Sequence, residues 1–138
     1  MLRPPLFALL AGLTLVTAPA SAAGNPAEPQ VYGTCGMWPH ARCRGVDLRH
    51  KDLSALDLAG ADFTGANLAR ADLRAANLAG AIFDGADLSG ARMAKVNAPG
   101  ASFRNAKLIG TDLEFAKLMR TDFTGADLTV ANLEAART

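Results

Sequence analysis

Two Ile and five Val stand against 29 Ala and 19 Leu in this chain of 138 residues. An apolar half so poor in β-branched side chains points to helices or to something repetitive. Aromatics make up only 6% of the residues, with a single Trp and a single Tyr. Neither sign of charge dominates: 14 Lys and Arg face 13 Asp and Glu. No global field therefore draws in nucleic acid or an anionic membrane. The length admits one small domain and excludes a large multidomain enzyme. His40 and His50 are the only histidines, which leaves few bases to activate a Ser, Cys or Thr nucleophile. No G-x-S-x-G, H-E-x-x-H, P-loop or G-x-G-x-x-G motif occurs. The C-x-x-C-H of haem attachment and the calcium-binding G-G-x-G-x-D nonapeptide are missing too. These residues lead us to expect neither an enzyme nor a cofactor.

The first residues read as an address. Arg3 supplies a short positive region, and Leu6–Val16 is an apolar run of 11 residues. A bilayer span takes about 20. Thr17–Ala22 follows with small residues, and Ala20 and Ala22 form an A-x-A cleavage site. Residues 1–22 are thus expected to be a secretory signal peptide, with a retained membrane anchor as the alternative. Its removal takes out Arg3 and no acid, leaving 13 basic and 13 acidic residues and a mature net charge of zero. Residues 23–30 carry Pro26 and Pro29 and read as a flexible linker. The expected location is secreted or periplasmic, with no membrane span after cleavage.

From Val46 to Ala135 the chain repeats every five residues, eighteen times without a gap. Ala61-Asp62-Phe63-Thr64-Gly65 and Ala126-Asp127-Leu128-Thr129-Val130 are examples. The central position is Leu or Phe in 16 of 18 units; Met93 and Ala98 are the exceptions. The residue two before it is Ala in 12 units, and the residue just before it is Asp or Asn in 13. Such regularity outweighs any single short motif. Five is a poor period for a helix: at about 100° per residue, successive central side chains rotate by about 140° around the axis. It is equally poor for a flat strand, because an odd period sends central residues to alternate faces. Only a chain that turns once per unit returns every central residue to the inside. Asp or Asn, and the Gly that ends eight units, suit such turns.

Phe63, Phe83, Phe103 and Phe123 set the coil size. They are spaced by 20, and no other central position holds Phe. Stacking like on like implies four units per coil and a square cross-section. The expected architecture is an all-β solenoid of about 4.5 coils, roughly 22 Å tall at the usual strand spacing of about 4.8 Å. These units resemble the pentapeptide repeat family, whose pattern is A-[D/N]-L-x-x. The resemblance covers residues 46–135 and implies a right-handed quadrilateral parallel β-helix. Two departures are local. Lys51 occupies an inward position, where it must snorkel out or lie at an open end. Ala98 replaces a central Leu, while Val96 replaces the neighbouring inward Ala, which reads as volume compensation.

A solenoid cannot bury its own ends. Residues 31–45 are read as an N-terminal cap holding Trp38, Tyr32, Cys35 and Cys43. In an exported protein, a Cys35–Cys43 disulfide closing a nine-residue loop is the first reading. The alternative is a metal site on Cys35, His40, Cys43 and His50, although C-x4-H-x2-C-x6-H fits no common zinc pattern. Residues 136–138 are read as a tail, which leaves core residues near Phe123, Leu128 and Leu133 poorly covered. Ile82, Ile109, Phe115, Met119 and Val130 are the large apolar residues at outward positions, and four of these five fall between residues 109 and 130. Ile109, Phe115, Met119 and Val130 are therefore the candidate partner surface. The partner is expected to be another protein or a second copy, held through the C-terminal coil. The resemblance agrees, because family members often dimerise end to end.

The many Asp residues need no catalytic explanation, since they fill the turn-forming place before the central residue. Arg70, Arg74, Arg92 and Lys95 fall on neighbouring positions, but Asp72 and Asp87 lie among them and a mixed solvated face is expected. Two function classes remain. One is a non-catalytic exported scaffold or protein-binding module in the cell envelope. The other follows from the resemblance alone: some family members mimic DNA and bind DNA gyrase. A neutral mature chain, a short column and an export signal all count against it.

Overall fold

The computed structural model describes residues 30–138; the expected signal peptide and nearly all of the linker lie outside the described residues. From Arg42 to Arg137, each residue that precedes a centre makes a parallel bridge to the residue 20 further on, as in Asp62↔Ile82 and Ile82↔Ser102. Four units thus make one coil, and the chain climbs as a four-sided parallel column. Faces are named here by their Phe or Leu ladder. The first carries Phe63, the second Leu48 and Leu68, the third Leu53 and Leu73, the fourth Leu58 and Leu78.

Extended strands are absent from the column because a turn follows every bridge. Unit 61–65 shows the bonding rule. Phe63 N–H donates to Ile82 O at 2.7 Å and Gly65 N–H to Asp84 O at 2.9 Å, both one coil on. Ile82 N–H donates back to Ala61 O at 2.9 Å, while Ala66 N–H closes the turn on Phe63 O at 2.9 Å. The Asp or Asn before the centre accepts the amide two residues on, as Asp62 does from Thr64 at 3.0 Å. The last position of all eighteen units has positive φ, including ten that hold no Gly. The left-handed conformation costs an L-residue roughly 1–2 kcal/mol, so the repeat geometry, and not the local residue, dictates it.

The core is the inward pair of each unit. Leu48 through Leu118 are buried at nearly every central position, and the Ala ladders beside them close the corners. Phe63, Phe83, Phe103 and Phe123 form one stack, with centroids 5.0, 4.9 and 5.2 Å apart. Those spacings track the coil rise, and offset stacking at this distance is favourable. Val96 and Ala98 are both fully buried, consistent with one layer conserving its volume. Thr111 and Thr121, at inward positions, donate their hydroxyls to Leu88 O and Ala98 O at 2.7 and 2.8 Å. Lys51 does turn outward: it is exposed, with its ammonium 5.2 Å above the Tyr32 ring.

The column begins earlier than the repeat pattern suggests. Arg42 already bridges Asp62, and Cys43 N–H donates to Asp62 O at 2.7 Å. Ala41–Gly45, read above as cap, is thus the first rung, with Cys43 heading the Phe ladder. The signal was weakened by Cys standing where Leu or Phe belongs. At the other end Arg137 bridges Lys117, so Ala136–Thr138, read above as a tail, continues the ladder.

Candidate functional site

The N-terminal cap is a hairpin of two short strands, β1 (Val31–Tyr32) and β2 (Cys35–Gly36), paired antiparallel. Cys35 and Cys43 form a disulfide and both are buried. That overturns the metal alternative, because its two thiolates are consumed. His40 and His50 do not complete a site either. His40 lies over Gly60 on the fourth face, whereas His50 ends a unit of the second. Among the described residues no group of three or more His, Cys, Asp or Glu is arranged to hold a metal. Within the cap, Met37 enters the core. Trp38 instead packs its ring against Gly36 and stays half exposed.

The candidate partner residues are exposed: Ile109 38%, Phe115 51%, Met119 53% and Val130 80%. Their arrangement is broader than the sequence suggested. Ile109 lies on the second face, Val130 at its corner with the third, Phe115 at the next corner and Met119 on the fourth. They form a belt around three sides of the lower column and not one flat patch. Leu133, an inward central residue, is 40% exposed because it closes its ladder at the C-terminal end. Two of the four sit at turn positions with positive φ, Phe115 at 58° and Val130 at 49°. A shallow apolar hollow lined by Pro99, Gly100, Met119 and Arg120 adjoins the belt.

Five arginines elsewhere pair with Asp neighbours. Asp72 takes both Arg74 and Arg92, so half of the basic group named above is spent internally. Arg44 pairs with Asp62 and Arg104 with Asp122, each reaching across to a neighbouring coil. A hydrogen bond from the Arg49 guanidinium, with its amide, holds Asp47 down to about 2. The Thr124 hydroxyl and amide, then Arg104, hold Asp122 down to about 2. Ladders mix acids with amides and bases, as along Asp47, Asn67, Asp87, Lys107 and Asp127, although Asp52 stands beside Asp72 and Lys117 beside Arg137. Sequence reasoning missed Asp84. Unit 101–105 has Ser102 in place of the usual Asp, and Asp84 from the preceding coil accepts both the Ser102 hydroxyl and the Arg104 amide. An Asp two positions past its usual place, 18 residues before a Ser, was the available signal.

A family model described as pentapeptide repeats matches 8 copies, over residues 40–74, 57–94, 71–108 and 100–134. No curated protein matches the sequence. Among solved structures the chain is similar to HetL, a pentapeptide repeat protein involved in heterocyst differentiation regulation from the cyanobacterium Nostoc sp. strain PCC 7120. The identity is 29% and the TM-score 0.54, over 71% of this chain and 57% of HetL. It is similar to Rfr23 from the cyanobacterium Cyanothece 51142 at 26% identity and TM-score 0.40, over 72% of this chain and 85% of that one. It is similar to QnrB1, a plasmid-mediated fluoroquinolone resistance protein, at 22% identity and TM-score 0.44, over 71% of this chain and 60% of that one. The chain spans little more than half of the length of HetL.

Proposed function

Because the chain belongs to the pentapeptide repeat family, we propose that it is an exported, non-catalytic scaffold or protein-binding module of the cell envelope. Its column is a right-handed quadrilateral β-helix at four units per coil, the eighteen repeat units making 4.5 coils and Ala41–Gly45 and Ala136–Thr138 extending it at the two ends. Residues 1–22 direct export, and oxidation outside the cytoplasm closes the Cys35–Cys43 bond. The partner, another protein or a second copy, docks on the belt of Ile109, Phe115, Met119 and Val130.

One observation carries the docking surface. Val130 and Phe115 hold large apolar side chains out into solvent on left-handed turns, and for a β-branched residue such a conformation is an outlier. Gly ends eight other units without that strain. The other non-Gly residues at this turn position are Ala, polar or charged; only Phe115 and Val130 place an exposed large apolar side chain there, which favours a role in binding. The test is light scattering and native-envelope crosslinking with the wild type and a Phe115→Gly/Val130→Gly double variant. The variant is expected to lose the crosslinked partner or the dimer while keeping its fold. Unchanged crosslinks would refute the belt as the docking site.

DNA-gyrase mimicry is the second reading, and it requires a strongly acidic rod. Here acids and bases are mixed over the ladders and the mature chain is neutral. A supercoiling assay with mature protein tests it directly: inhibition, or protection against a gyrase drug, would restore it.

A further inference from the structure

The two ends of the core differ. Phe123, Leu128 and Leu133 close their ladders and are each partly exposed. Leu48, Leu53 and Leu58 open theirs, with no coil before them in the bridge pattern, yet they are fully buried. The difference is the hairpin β1–β2 with Met37, which shields the N-terminal end. That hairpin cannot hold itself. Its strands are two residues each, far below what is stable alone. The bond from Met37 N–H to Gln30 O stays within the cap, as does the Trp38 ring on Gly36. Toward the column it has the buried Met37 and Cys35 side chains and the partly buried Tyr32 ring, the Lys51–Tyr32 contact, the bond from His40 N–H to Ala59 O just after the cap, and the Cys35–Cys43 bond, the one covalent tie among them. Cys43 is itself a rung of the column, whereas Cys35 belongs to β2.

We infer that the Cys35–Cys43 bond is a redox latch: reduction by a dithiol releases the hairpin and bares the N-terminal end of the core, while the column stays folded. The step balances as thiol–disulfide exchange. One thiolate of the dithiol attacks a sulfur of the protein disulfide and forms a mixed disulfide. The second thiol resolves it, and two electrons and two protons pass to Cys35 and Cys43 as free thiols, leaving the dithiol oxidised. Both cysteines are buried, so attack waits on local opening of the hairpin. The redox poise of the compartment then decides whether the apolar Leu tips at this end are covered or bare. The inference does not depend on the belt at residues 109–130.

The experiment treats the purified protein with dithiothreitol under native conditions. Thiols are titrated, amide exchange is followed across residues 31–37 and 61–118, and Trp38, the single Trp of the chain, reports the cap by its emission. Two thiols are expected to appear, with exchange at 31–37 faster by roughly 50–100-fold, the factor that loop closure over this length contributes. Exchange at 61–118 and the far-ultraviolet spectrum should not change. Cys35→Ala should show the open cap without reductant and no response to it. Three results would overturn the latch: no thiols without denaturant, reduced protein with unchanged exchange at 31–37, or loss of the far-ultraviolet signal on reduction.

Discussion

Replacing Phe103 by Ala tests the stacked core directly. Phe103 is fully buried, with Phe83 at 4.9 Å on one side and Phe123 at 5.2 Å on the other. A buried Phe→Ala change costs about 3–5 kcal/mol through lost transfer and the cavity left behind. Two ring contacts are lost here, each worth about 0.5–1.5 kcal/mol beyond burial, which places the expected loss near the top of that range, about 5 kcal/mol. Phe123 lies partly exposed at the end of the stack and touches one ring, so Phe123→Ala should cost about 1–2 kcal/mol, scaled down for burial already missing. Urea melts followed by far-ultraviolet circular dichroism give both values. Because coils contact only their neighbours, Phe103→Ala should also split the melt into two steps, the lower coils leaving first. Equal losses at the two positions, or a loss below about 2 kcal/mol at Phe103, would refute a stack as the axis of the core.

Phe115→Gly should raise stability by about 1 kcal/mol, since it relieves a positive φ, and weaken partner capture in the same protein; a loss of stability would contradict the strain argument. Gly65→Ala meets open space while Gly60→Ala runs into the His40 ring, so thermal melts should rank Gly60→Ala as clearly the worse, Gly65→Ala costing only about 1–2 kcal/mol of backbone strain. Asp47 and Asp122 are held at about 2, below the unfolded value of about 3.9. Their contribution is therefore complete above pH 4 and is lost as pH falls from about 4 toward 2. Asp122→Asn should flatten the stability profile in that window and leave it unchanged at neutral pH relative to its own plateau.

The coil size was readable because Phe occurs at one ladder only; an all-Leu column would have left three, four or five units per coil open. Inward and outward positions were readable for the same reason that patterning works in strands: burial selects apolar side chains at a fixed phase. Three features resisted. Cys43 hid the first rung because a disulfide half replaced the expected apolar centre. Asp84 supports the next coil, and pairing between residues 18 or 20 apart is visible only once the coil length is known. The belt looked like a patch because Ile109, Phe115, Met119 and Val130 are close in sequence. On a square column, residues five apart lie on different faces, so closeness along the chain spreads side chains around the perimeter.

The bridge from each residue to the one 20 further on also governs how such a chain can lengthen or shorten. Inserting or deleting 20 residues moves every ladder by a whole storey and leaves all vertical neighbours matched. Inserting five keeps the turns and the inward pair, yet it slides everything beyond it round by one wall: Phe meets Leu, and the Asp84 support lands beneath the wrong rung. The molecule therefore tolerates change in quanta of one coil, and its surface is free to diversify within a storey while its height is not.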